Sequence, residues 1–476
     1  MIFKGTLKVC EKQSSNLIPL LKQRQLISKT SIESLEKNAN YTLYTGADPS
    51  AKSLHLGNLL PLLLSFHLNI NGNNIILLSG GATGVLGDPT FKVKERAKKD
   101  LDVLEINRQA IAKQQEKFFI NATKYYNDFC KDKKPTIGTR EYVNNLDWFG
   151  EVNLLNFLHE YGSNFKIKEL INKESVKQRL QSSHDGASNE MESSLSIKEF
   201  FYQVLQGFDF YHLFKTRNCV GQIGGNDQWG NMTTGLEFMR RQLQDANDAK
   251  RFIITTPLLT NYKGEKFGKS EGNALFLNTD MTSVFEVYQF CINSFDEDVE
   301  KFLKIFTFLP LPDIDAILKE NTLDKSKKIA HKALAQHMVH LIYGKEYISL
   351  CEKLTSILFN SKNLIEFINE NKSDENVFDR FIPVYRFNEI LQKSDLNLTV
   401  KEYISILDKK LESYEISEML KNSALKFYNK KGEFESFKLK KNNGLLKDLL
   451  QNCNLINNKY IILRLSKKNL KIIEVK

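Results

Sequence analysis

The sequence lacks the residue spacings that mark several common classes of protein. Its 476 residues include only six cysteines, and no two of them form a CxxC pair. This excludes the usual zinc-site spacing and a disulfide framework, and it favours a reducing compartment. None of the eight histidines belongs to an HExxH sequence, so no set of metal ligands is predicted.

Long apolar runs are also missing. The longest, such as residues 59–66 and 75–78, fall far short of the roughly 20 residues that a membrane-spanning helix needs. No membrane span is predicted, and no membrane is expected among the partners. A chain of 476 residues instead predicts two or three globular domains with a sizeable core.

Acidic residues are scarce at one end of the chain, and the positive charge collects there. Residues 421–476 hold fourteen Lys or Arg against four Asp or Glu, whereas residues 1–420 hold 53 of each sign. A neutral body with a basic end is typical of a globular enzyme joined to a module that binds a polyanion. A lysine-rich solvated surface is the alternative that charge alone leaves open.

The amino terminus is nearly free of acidic residues as well. Within the first 30 residues, Glu11 is the only acidic side chain against six Lys or Arg. Such a stretch resembles a short organellar targeting segment, although it is not rich in arginine. Residues 1–16 are assigned to this segment as a hypothesis.

The first two thirds of the chain alternate short β-rich runs with longer helical patterns, which is typical of a parallel sheet wrapped by helices. Strands are predicted at residues 41–46, 75–79 and 219–223. Helices are predicted at residues 55–71, 94–119, 197–214 and 231–243. The predicted fold class is α/β.

Beyond about residue 280 the patterns become helical, over residues 284–293, 298–306, 327–342 and 345–359. The final stretch pairs a helix at 415–421 with strands at 434–439 and 460–465, which predicts a small α+β module. The change in composition places domain boundaries near residues 280 and 395. Three domains are therefore expected, at residues 1–280, 281–395 and 396–476.

Two glycine-containing segments have the composition of phosphate-binding loops. In SLHLGN, residues 53–58, His55 and Asn58 are three apart at a predicted helix start, so they share one face beside the bare backbone of Gly57. Helix amino termini favour anions, although an ordinary helix start has the same pattern. In KGEKFGKS, residues 263–270, two lysines three apart suit a polyphosphate, but a solvated turn fits as well.

A third segment, GGATGVLGD at residues 80–88, holds four glycines directly after an apolar strand. It matches neither the GxGxxG nor the GxxxxGK[ST] pattern. The glycines instead indicate close approach of the backbone to a ligand or a tight strand-to-helix crossing. Positive charge follows at Lys92 and Arg96.

Two further segments bring polar side chains to predicted secondary structure. In FYQVLQGFDF, residues 201–210, a tyrosine, a glutamine and an aspartate fall at i, i+4 and i+7 among apolar residues. They share one helix face, which looks either into a pocket or out to solvent. In QIGGNDQWGN, residues 222–231, a strand ends in glycines and delivers Asp227 and Gln228 at its carboxyl edge, where α/β folds bind ligands.

These five segments, in this order, resemble the class I aminoacyl-tRNA synthetases, and the tyrosyl enzymes in particular. HLGN at residues 55–58 is similar to the family's HIGH motif, and KFGKS at residues 266–270 to its KMSKS loop. YTGADPSAKSLHLGN, GGATGVLGDP, QVLQGFDF and GGNDQWGN are similar to tyrosyl-type segments. The resemblance implies a Rossmann-like parallel-sheet catalytic domain, an α-helical anticodon-side domain and a small α+β RNA-binding module.

The resemblance also implies an activity. Such enzymes form tyrosyl-adenylate from tyrosine and ATP, release pyrophosphate and pass tyrosine to the 3′ end of tRNA(Tyr). Mg²⁺ accompanies ATP as part of the substrate, and no tightly bound cofactor is expected. The chain is expected to form a homodimer, as family members do.

The site residues carry over onto matching positions of this sequence. Those that the resemblance assigns to catalysis are His55, Asn58, Lys266 and Lys269. Those assigned to tyrosine are Tyr44, Gly46, Asp48, Asp88, Tyr202, Gln206, Asp209 and Gln222. Those assigned to ATP are Ser50, Gly57, Lys92, Arg96, Gly225, Asp227, Gln228 and Ser270.

Within this set, Tyr44 and Asp209 are expected to hold the phenol hydroxyl of the substrate. The ammonium group is assigned to Asp88, Tyr202 and Gln206. Asn58 stands in place of the final histidine of HIGH, and its amide is also a phosphate donor.

Two other functions remain as alternatives. One is an RNA-binding or splicing factor on a synthetase scaffold, and the other is a different class I synthetase, such as a tryptophanyl enzyme. An apolar indole would leave Tyr44 and Asp209 unsatisfied, which disfavours the second. The bacterial-type motifs with a basic amino terminus suggest the mitochondrial matrix, and the cytoplasm of an AT-rich bacterium is the alternative location.

Overall fold

The computed structural model describes most of the chain. The described residues are 17–36, 39–90, 100–129, 135–174, 176–177, 180, 195–244, 251–264, 274–359, 366, 384–386, 398–407, 411–429, 431, 433–437, 446–456, 459–466 and 469–474. They fall into two compact units, one drawn from Met1–Met281 and Ile292–Gly344, the other from Thr282–Cys291 and Lys345–Lys476. The three-domain division at residues 280 and 395 stays a prediction.

A six-stranded sheet is the scaffold of the first unit. Its strands are β1 (Lys29–Thr30), β2 (Thr42–Ala47), β3 (Asn74–Ser79), β4 (Arg140–Asn144), β5 (Cys219–Gly225) and β6 (Phe252–Thr256). They lie in the order β1-β6-β5-β2-β3-β4. All neighbours are parallel except β1 with β6, which confirms the predicted α/β class with a parallel sheet.

The three predicted strands correspond to β2, β3 and β5, and their ends agree within two residues. No prediction covered β1, β4 or β6. The sequence of β4, REYVN, has charged side chains and no residue that is fully buried, so it lacks the apolar run on which strand prediction depends. The sequence of β6, FIITT, is buried throughout but only five residues long.

Between residues 17 and 342, helices alternate with or follow these strands along the chain. They are α1 (Leu17–Gln23), α2 (Leu59–Asn69), α3 (Thr83–Leu86), α4 (Leu101–Phe129), α5 (Leu146–Phe149), α6 (Leu154–Glu160), α7 (Ile167–Ile171), α8 (Ile197–Arg217), α9 (Trp229–Leu243), α10 (Val284–Asn293), α11 (Asp296–Phe306), α12 (Leu311–Leu323) and α13 (Ile329–Ile342). All but α10 lie wholly in the first unit, since Thr282–Cys291 belongs to the second.

Two helix predictions differ from the structure. The helix predicted at residues 55–71 begins with a separate 3-10 turn, Leu56–Asn58, before α2. The helix predicted at residues 94–119 is wrong at its carboxyl end, because α4 continues to Phe129 with Ala122 and Tyr125 buried on the same face. The start of that prediction lies outside the described residues, and α12 carried no prediction.

Helices α8 and α9 approach each other closely at two glycines. A Cβ on Gly207 would lie 3.3 Å from the Cα of Gly235, closer than most side-chain contacts. The Ser196 side chain accepts a hydrogen bond from the backbone of Glu199 and so caps the start of α8. The helix ends at Asn218, which has a left-handed conformation that asparagine tolerates well.

The second unit combines helices with a separate sheet. Its further elements are α14 (Glu346–Phe359), α15 (Val400–Leu407), α16 (Ser413–Lys421), α17 (Leu446–Asn452), β7 (Val384–Arg386), β8 (Lys426–Tyr428), β9 (Phe434–Ser436), β10 (Tyr460–Ser466) and β11 (Asn469–Glu474). The strand order is β7-β11-β10-β8-β9. Tyr403, Ile416 and Leu463 join one apolar core. The separate α+β module at residues 396–476 stays a prediction.

Two features that the sequence lacks bear on the fold, namely cysteine pairs and long apolar helices. Cys219, Cys291, Cys351 and Cys453 are buried, and none of these four described cysteines forms a disulfide. Across the part of the chain that the structure describes, no helix combines the length and apolar character needed to cross a membrane.

Candidate active site

The candidate site lies between β2 and β5, where the strand order reverses. From β2 the chain proceeds to β3 and β4 on one side, and from β5 to β6 on the other. The loops after two such strands diverge and leave a crevice at their carboxyl ends. Tyr44 of β2 is in register with Gln222 of β5, so their side chains lie side by side on one face of the sheet.

Tyr44 and Asp209 form the deepest part of the site, and each is 2% exposed. The Tyr44 hydroxyl has no hydrogen-bond partner among the described residues. Burial, and then the charge of Asp209, raise the pKa of this phenol well above its usual value. The Asp209 carboxyl accepts hydrogen bonds from Nδ2 of Asn145 at 3.1 Å and from Nε1 of Trp148 at 2.9 Å.

Burial sets the protonation of this carboxyl. It raises the pKa of Asp209 to about 8, although the hydrogen bonds from Asn145 and Trp148 oppose that shift. A carboxyl with this pKa is mainly in its neutral form at pH 7. A donor that approaches the carboxyl would favour its ionised form.

Asn145 and Trp148 carried no prediction from the sequence. Both follow β4, one of the three strands of this sheet that were not predicted, and no glycine or charged residue at a recognisable spacing marks them. Asn145 also donates to Oγ1 of Thr83 at 3.1 Å and accepts from the backbone of Ala82 at 2.7 Å. It therefore joins the glycine-rich segment to the buried carboxyl.

Asp48, directly after β2, is held by two hydroxyl groups. Tyr202 of α8 donates to Oδ2 at 2.8 Å, and Oγ1 of Thr83 donates to Oδ1 at 2.7 Å. A Cβ on Gly80 would overlap Oδ1 of Asp48. The first glycine of residues 80–88 thus leaves room for this carboxylate, which the sequence pattern alone did not indicate.

Asp88 connects two segments that were predicted separately. It accepts hydrogen bonds from the backbone and Oγ1 of Thr90, at 3.0 and 2.6 Å. It also accepts from Nε2 of Gln228 at 2.7 Å. Gly87, with a φ of 82°, provides the left-handed turn that precedes Asp88.

Buried amide oxygens mark the wall formed by α8 and the end of β5. Oε1 of Gln206, Oε1 of Gln222 and Oδ1 of Asn226 are buried and have no hydrogen-bond partner within the described ranges. Buried polar atoms are normally hydrogen-bonded, so these oxygens point to a ligand with donor groups. After β5, a Cβ on Gly225 would overlap Oδ1 of Asp227, so this glycine accommodates that carboxylate.

His55 and Asn58 lie in the turn before α2. Oδ1 of Asn58 accepts a hydrogen bond from the backbone of His55 at 3.0 Å. Nδ1 of His55 is buried and has no hydrogen-bond partner in the described part of the chain. Burial lowers the pKa of His55, opposed in part by Asp227. A Cβ on Gly57 would lie 2.9 Å from Cε1 of His55, so the glycine makes room for the imidazole.

Of the remaining assigned residues, some lie in described parts of the chain and others do not. Gly46 lies one residue before the end of β2, where an added Cβ would make an ordinary contact of 3.5 Å with Leu78. The backbone of Ser50 donates to the carbonyl of Asp48 at 2.8 Å. Five assigned residues lie outside the described residues, namely Lys92, Arg96, Lys266, Lys269 and Ser270. No group of metal-ligating side chains occurs among the residues that are described.

The comparisons with known proteins identify the family. Residues 36–360 match the family described as tRNA synthetases class I (W and Y). The chain is 38% identical over 357 residues to the mitochondrial tyrosine–tRNA ligase of Saccharomyces cerevisiae, which covers 73% of this chain and 70% of that relative. The chain belongs to the tyrosyl-tRNA synthetases. This synthetase is also 41% identical over 344 residues to tyrosine–tRNA ligase 2 of Enterococcus faecalis, covering 71% and 76% of the two chains.

A solved structure agrees with the fold. The C-terminally truncated mitochondrial tyrosyl-tRNA synthetase of Aspergillus nidulans superposes with a TM-score of 0.64 at 29% identity, covering 72% of this synthetase and 94% of that chain. The predicted family and enzyme class, a tyrosine–tRNA ligase, are confirmed. The tryptophanyl enzyme and the RNA factor without ligase activity find no support.

Proposed function

We propose that the crevice between β2 and β5 activates tyrosine with ATP, and that its two ends bind different parts of the substrates. The observation that supports this most is the buried pair of Tyr44 and Asp209. A hydroxyl without a partner beside a carboxyl matches the phenol of tyrosine, which both donates and accepts a hydrogen bond. An apolar ring would leave the Tyr44 hydroxyl buried and unpaired, and it would give the Asp209 carboxyl no partner beyond Asn145 and Trp148.

The ammonium group of tyrosine would lie beside the part of α8 that carries Tyr202 and Gln206. Tyr202 uses its proton on Asp48, so its oxygen can still accept a hydrogen bond from the substrate. Gln206 offers its buried Oε1 atom, and the carboxylates of Asp48 and Asp88 add negative charge. We therefore keep Asp88, Tyr202 and Gln206 as ammonium ligands.

ATP would occupy the other end. The neutral imidazole of His55 and the amide of Asn58 can donate to phosphate oxygens, and the bare backbone of Gly57 allows close approach. Gln222, Gly225, Asp227 and Gln228 surround the end of β5, where the ribose and adenylate would lie. Ser50, Lys92, Arg96, Lys266, Lys269 and Ser270 are assigned to the phosphates by the resemblance of their segments.

The reaction needs no enzyme nucleophile. The carboxylate of tyrosine attacks the α-phosphorus of ATP, the bond to the bridging oxygen breaks, and pyrophosphate leaves with Mg²⁺ as part of the substrate. The protein must orient the two substrates and stabilise the charge that develops on the departing group. Transfer to the ribose at the 3′ end of tRNA(Tyr) would follow in the same crevice.

Homodimer formation is proposed from an apolar surface. Helices α5 to α7 carry exposed large side chains, among them Leu146, Leu154, Leu155 and Ile167. Where such side chains form one patch, they mark a protein interface. A second copy of the chain is the expected partner, and a monomer by analytical ultracentrifugation at micromolar concentration would contradict it.

The basic carboxyl module is proposed to bind tRNA phosphates. Its surplus of Lys and Arg would make tRNA affinity fall steeply with salt. Removing residues 396–476 should spare adenylate formation and abolish most tRNA charging, whereas unchanged charging would refute the role.

We propose the mitochondrial matrix as the location, because the relatives include mitochondrial enzymes. Bacterial relatives are equally similar, so the bacterial cytoplasm is the second candidate. Imaging a fusion of residues 1–30 to a fluorescent protein in yeast tests this, and a diffuse cytosolic signal would refute the targeting role.

The activity test is ATP–pyrophosphate exchange with purified protein. Exchange should require tyrosine and should be at least about 1,000-fold less efficient with tryptophan or phenylalanine, because both lack the phenol hydroxyl. Exchange that depends on tryptophan instead would overturn the assignment of Tyr44 and Asp209.

A further inference from the structure

Gln114, on α4, lies outside every segment assigned to the substrates. Its Oε1 atom accepts hydrogen bonds from the backbone of Leu54 at 3.0 Å and from Oγ of Ser53 at 3.1 Å. Its Nε2 atom donates to the carbonyl of Lys52 at 3.0 Å. One side-chain amide therefore pairs with three consecutive residues, much as a neighbouring strand would.

The segment that Gln114 holds leads directly into His55. On its other side, the same segment pairs with the backbone of residues 275–278. The backbone of Leu56 donates to the carbonyl of Leu275 at 2.9 Å, and that of Leu277 donates to the carbonyl of Leu54 at 2.8 Å. The position of His55 is thus set between α4 and the strand-like segment that follows residues 265–273.

Ser53 links these two sides. Its Oγ accepts a hydrogen bond from the backbone of Asn278 at 3.0 Å. Its proton lies within reach of Oε1 of Gln114, at 3.1 Å, and of the carbonyl of Leu54, at 2.8 Å. Ser53 is 4% exposed, so water does not readily replace these partners.

A packing role alone does not account for Gln114. The core-facing side of α4 is formed by other residues, including Leu104, Ile111 and Phe118. Gln114 is only half-buried, and the three hydrogen bonds given above all go to the segment before His55. A side chain whose contacts converge on one segment of a site is suited to fix that segment's geometry.

We propose that Gln114 is a positioning residue for adenylate formation, acting through residues 52–54 on the orientation of His55. This inference rests on the proposed function of the crevice. It assigns to α4 a part in the phosphate end of the site, while the tyrosine end depends on other elements.

The test compares Gln114→Met with Gln109→Met. Methionine keeps the length of the side chain and removes both hydrogen-bonding atoms. Gln109 is an exposed glutamine on the same helix, bonded to Glu105, and serves as the matched control. Exchange rates are normalised to active sites, and tyrosine dissociation constants are measured separately.

Gln114→Met should lower kcat for pyrophosphate exchange about 10- to 100-fold, because small displacements of a reacting group are costly. Its tyrosine affinity should stay within about twofold of the wild type. Gln109→Met should match the wild type in both. Ser53→Ala should lower kcat in the same direction, and combining it with Gln114→Met should add less than the product of the single effects.

Three results would overturn the proposal. They are a kcat of Gln114→Met equal to that of the control, an equal loss in kcat and tyrosine affinity, and multiplicative effects of the two substitutions. If Gln114→Met does not fold, as judged by circular dichroism, an unchanged kcat in Ser53→Ala overturns it. A wild-type enzyme without tyrosine-dependent exchange would instead refute the proposed function.

Discussion

The tyrosine end and the phosphate end of the crevice are built in different ways. Around Asp209, two donors from the segment that follows β4 already contact the carboxyl, and the surroundings are buried. His55 is only half-buried and lies in a short turn held from two sides by backbone and side-chain hydrogen bonds. The amino acid end is therefore preformed, whereas the phosphate end depends on the register of neighbouring segments.

Because of this difference, we expect the tyrosine end to determine amino acid selectivity and the phosphate end to determine the rate of adenylate formation. A buried polar pair discriminates strongly because a wrong substrate leaves it unpaired. Groups that stabilise developing charge act mainly on the transition state. Substitutions at the two ends should therefore change different kinetic constants.

The largest effect is expected at Asp209. Asp209→Ala should weaken tyrosine binding about 1,000-fold, because the substrate hydroxyl loses its acceptor while Trp148 and Asn145 keep buried donors without one. Tyr44→Phe is the comparison, and it should cost only about 10-fold, since the hydroxyl removed has no partner within the described residues. Equilibrium dialysis with labelled tyrosine measures both, and equal losses would remove the distinction.

At the phosphate end, His55→Ala should lower kcat for pyrophosphate exchange about 100-fold. Tyrosine affinity should be nearly unchanged, because none of the phenol-binding groups is altered. Pre-steady-state exchange and tyrosine binding on the same preparation separate the two quantities. A loss of tyrosine affinity as large as the loss of kcat would show that the two ends are not independent.

The smallest expected effect is the pH dependence of tyrosine binding. Since the pKa of Asp209 is raised to about 8, a tyrosine hydroxyl that donates to it should expel a proton. Tyrosine affinity should therefore increase by up to about 50-fold between pH 6 and pH 8, because the ionised fraction of the carboxyl rises in that proportion. Conversely, the ligand-free protein should lose stability over the same range, because its folded state holds this proton more tightly than the unfolded chain does.

Calorimetry in two buffers of different ionisation enthalpy measures this proton release at pH 7. The binding heats should differ for the wild type and agree for Asp209→Asn, which has no carboxyl proton. Identical heats for the wild type would show that tyrosine binding leaves the protonation of Asp209 unchanged, which would contradict the proton release.

The sequence predicted the site where chemistry and local pattern coincide. Polar residues follow the apolar runs that end β2, after Tyr44, and β5, before Asp227. On α8, Tyr202 and Asp209 recur at helical spacing. The α/β class was predicted for the same reason, because β2, β3 and β5 are apolar runs between helical patterns.

Residues that arrive from other elements were not predicted. Asn145 and Trp148 follow an edge strand without an apolar run, and only the sheet order brings them to Asp209. Gln114 lies on a long amphipathic helix, where a half-buried glutamine resembles many solvated ones. Such residues depend on tertiary contacts, for which local spacing carries no signal.

The close crossing of α8 and α9 limits which substitutions the chain accepts at its two glycines. Gly207 and Gly235 have no polar side chain and contact no substrate in the proposed arrangement, yet the two helices meet backbone to backbone there. A methyl group on either glycine would require a shift of a few tenths of an ångström between the helix that carries Asp209 and the one that follows Gln228. Substitution of either glycine should therefore disturb the amino acid end of the crevice, although neither residue contacts the substrate.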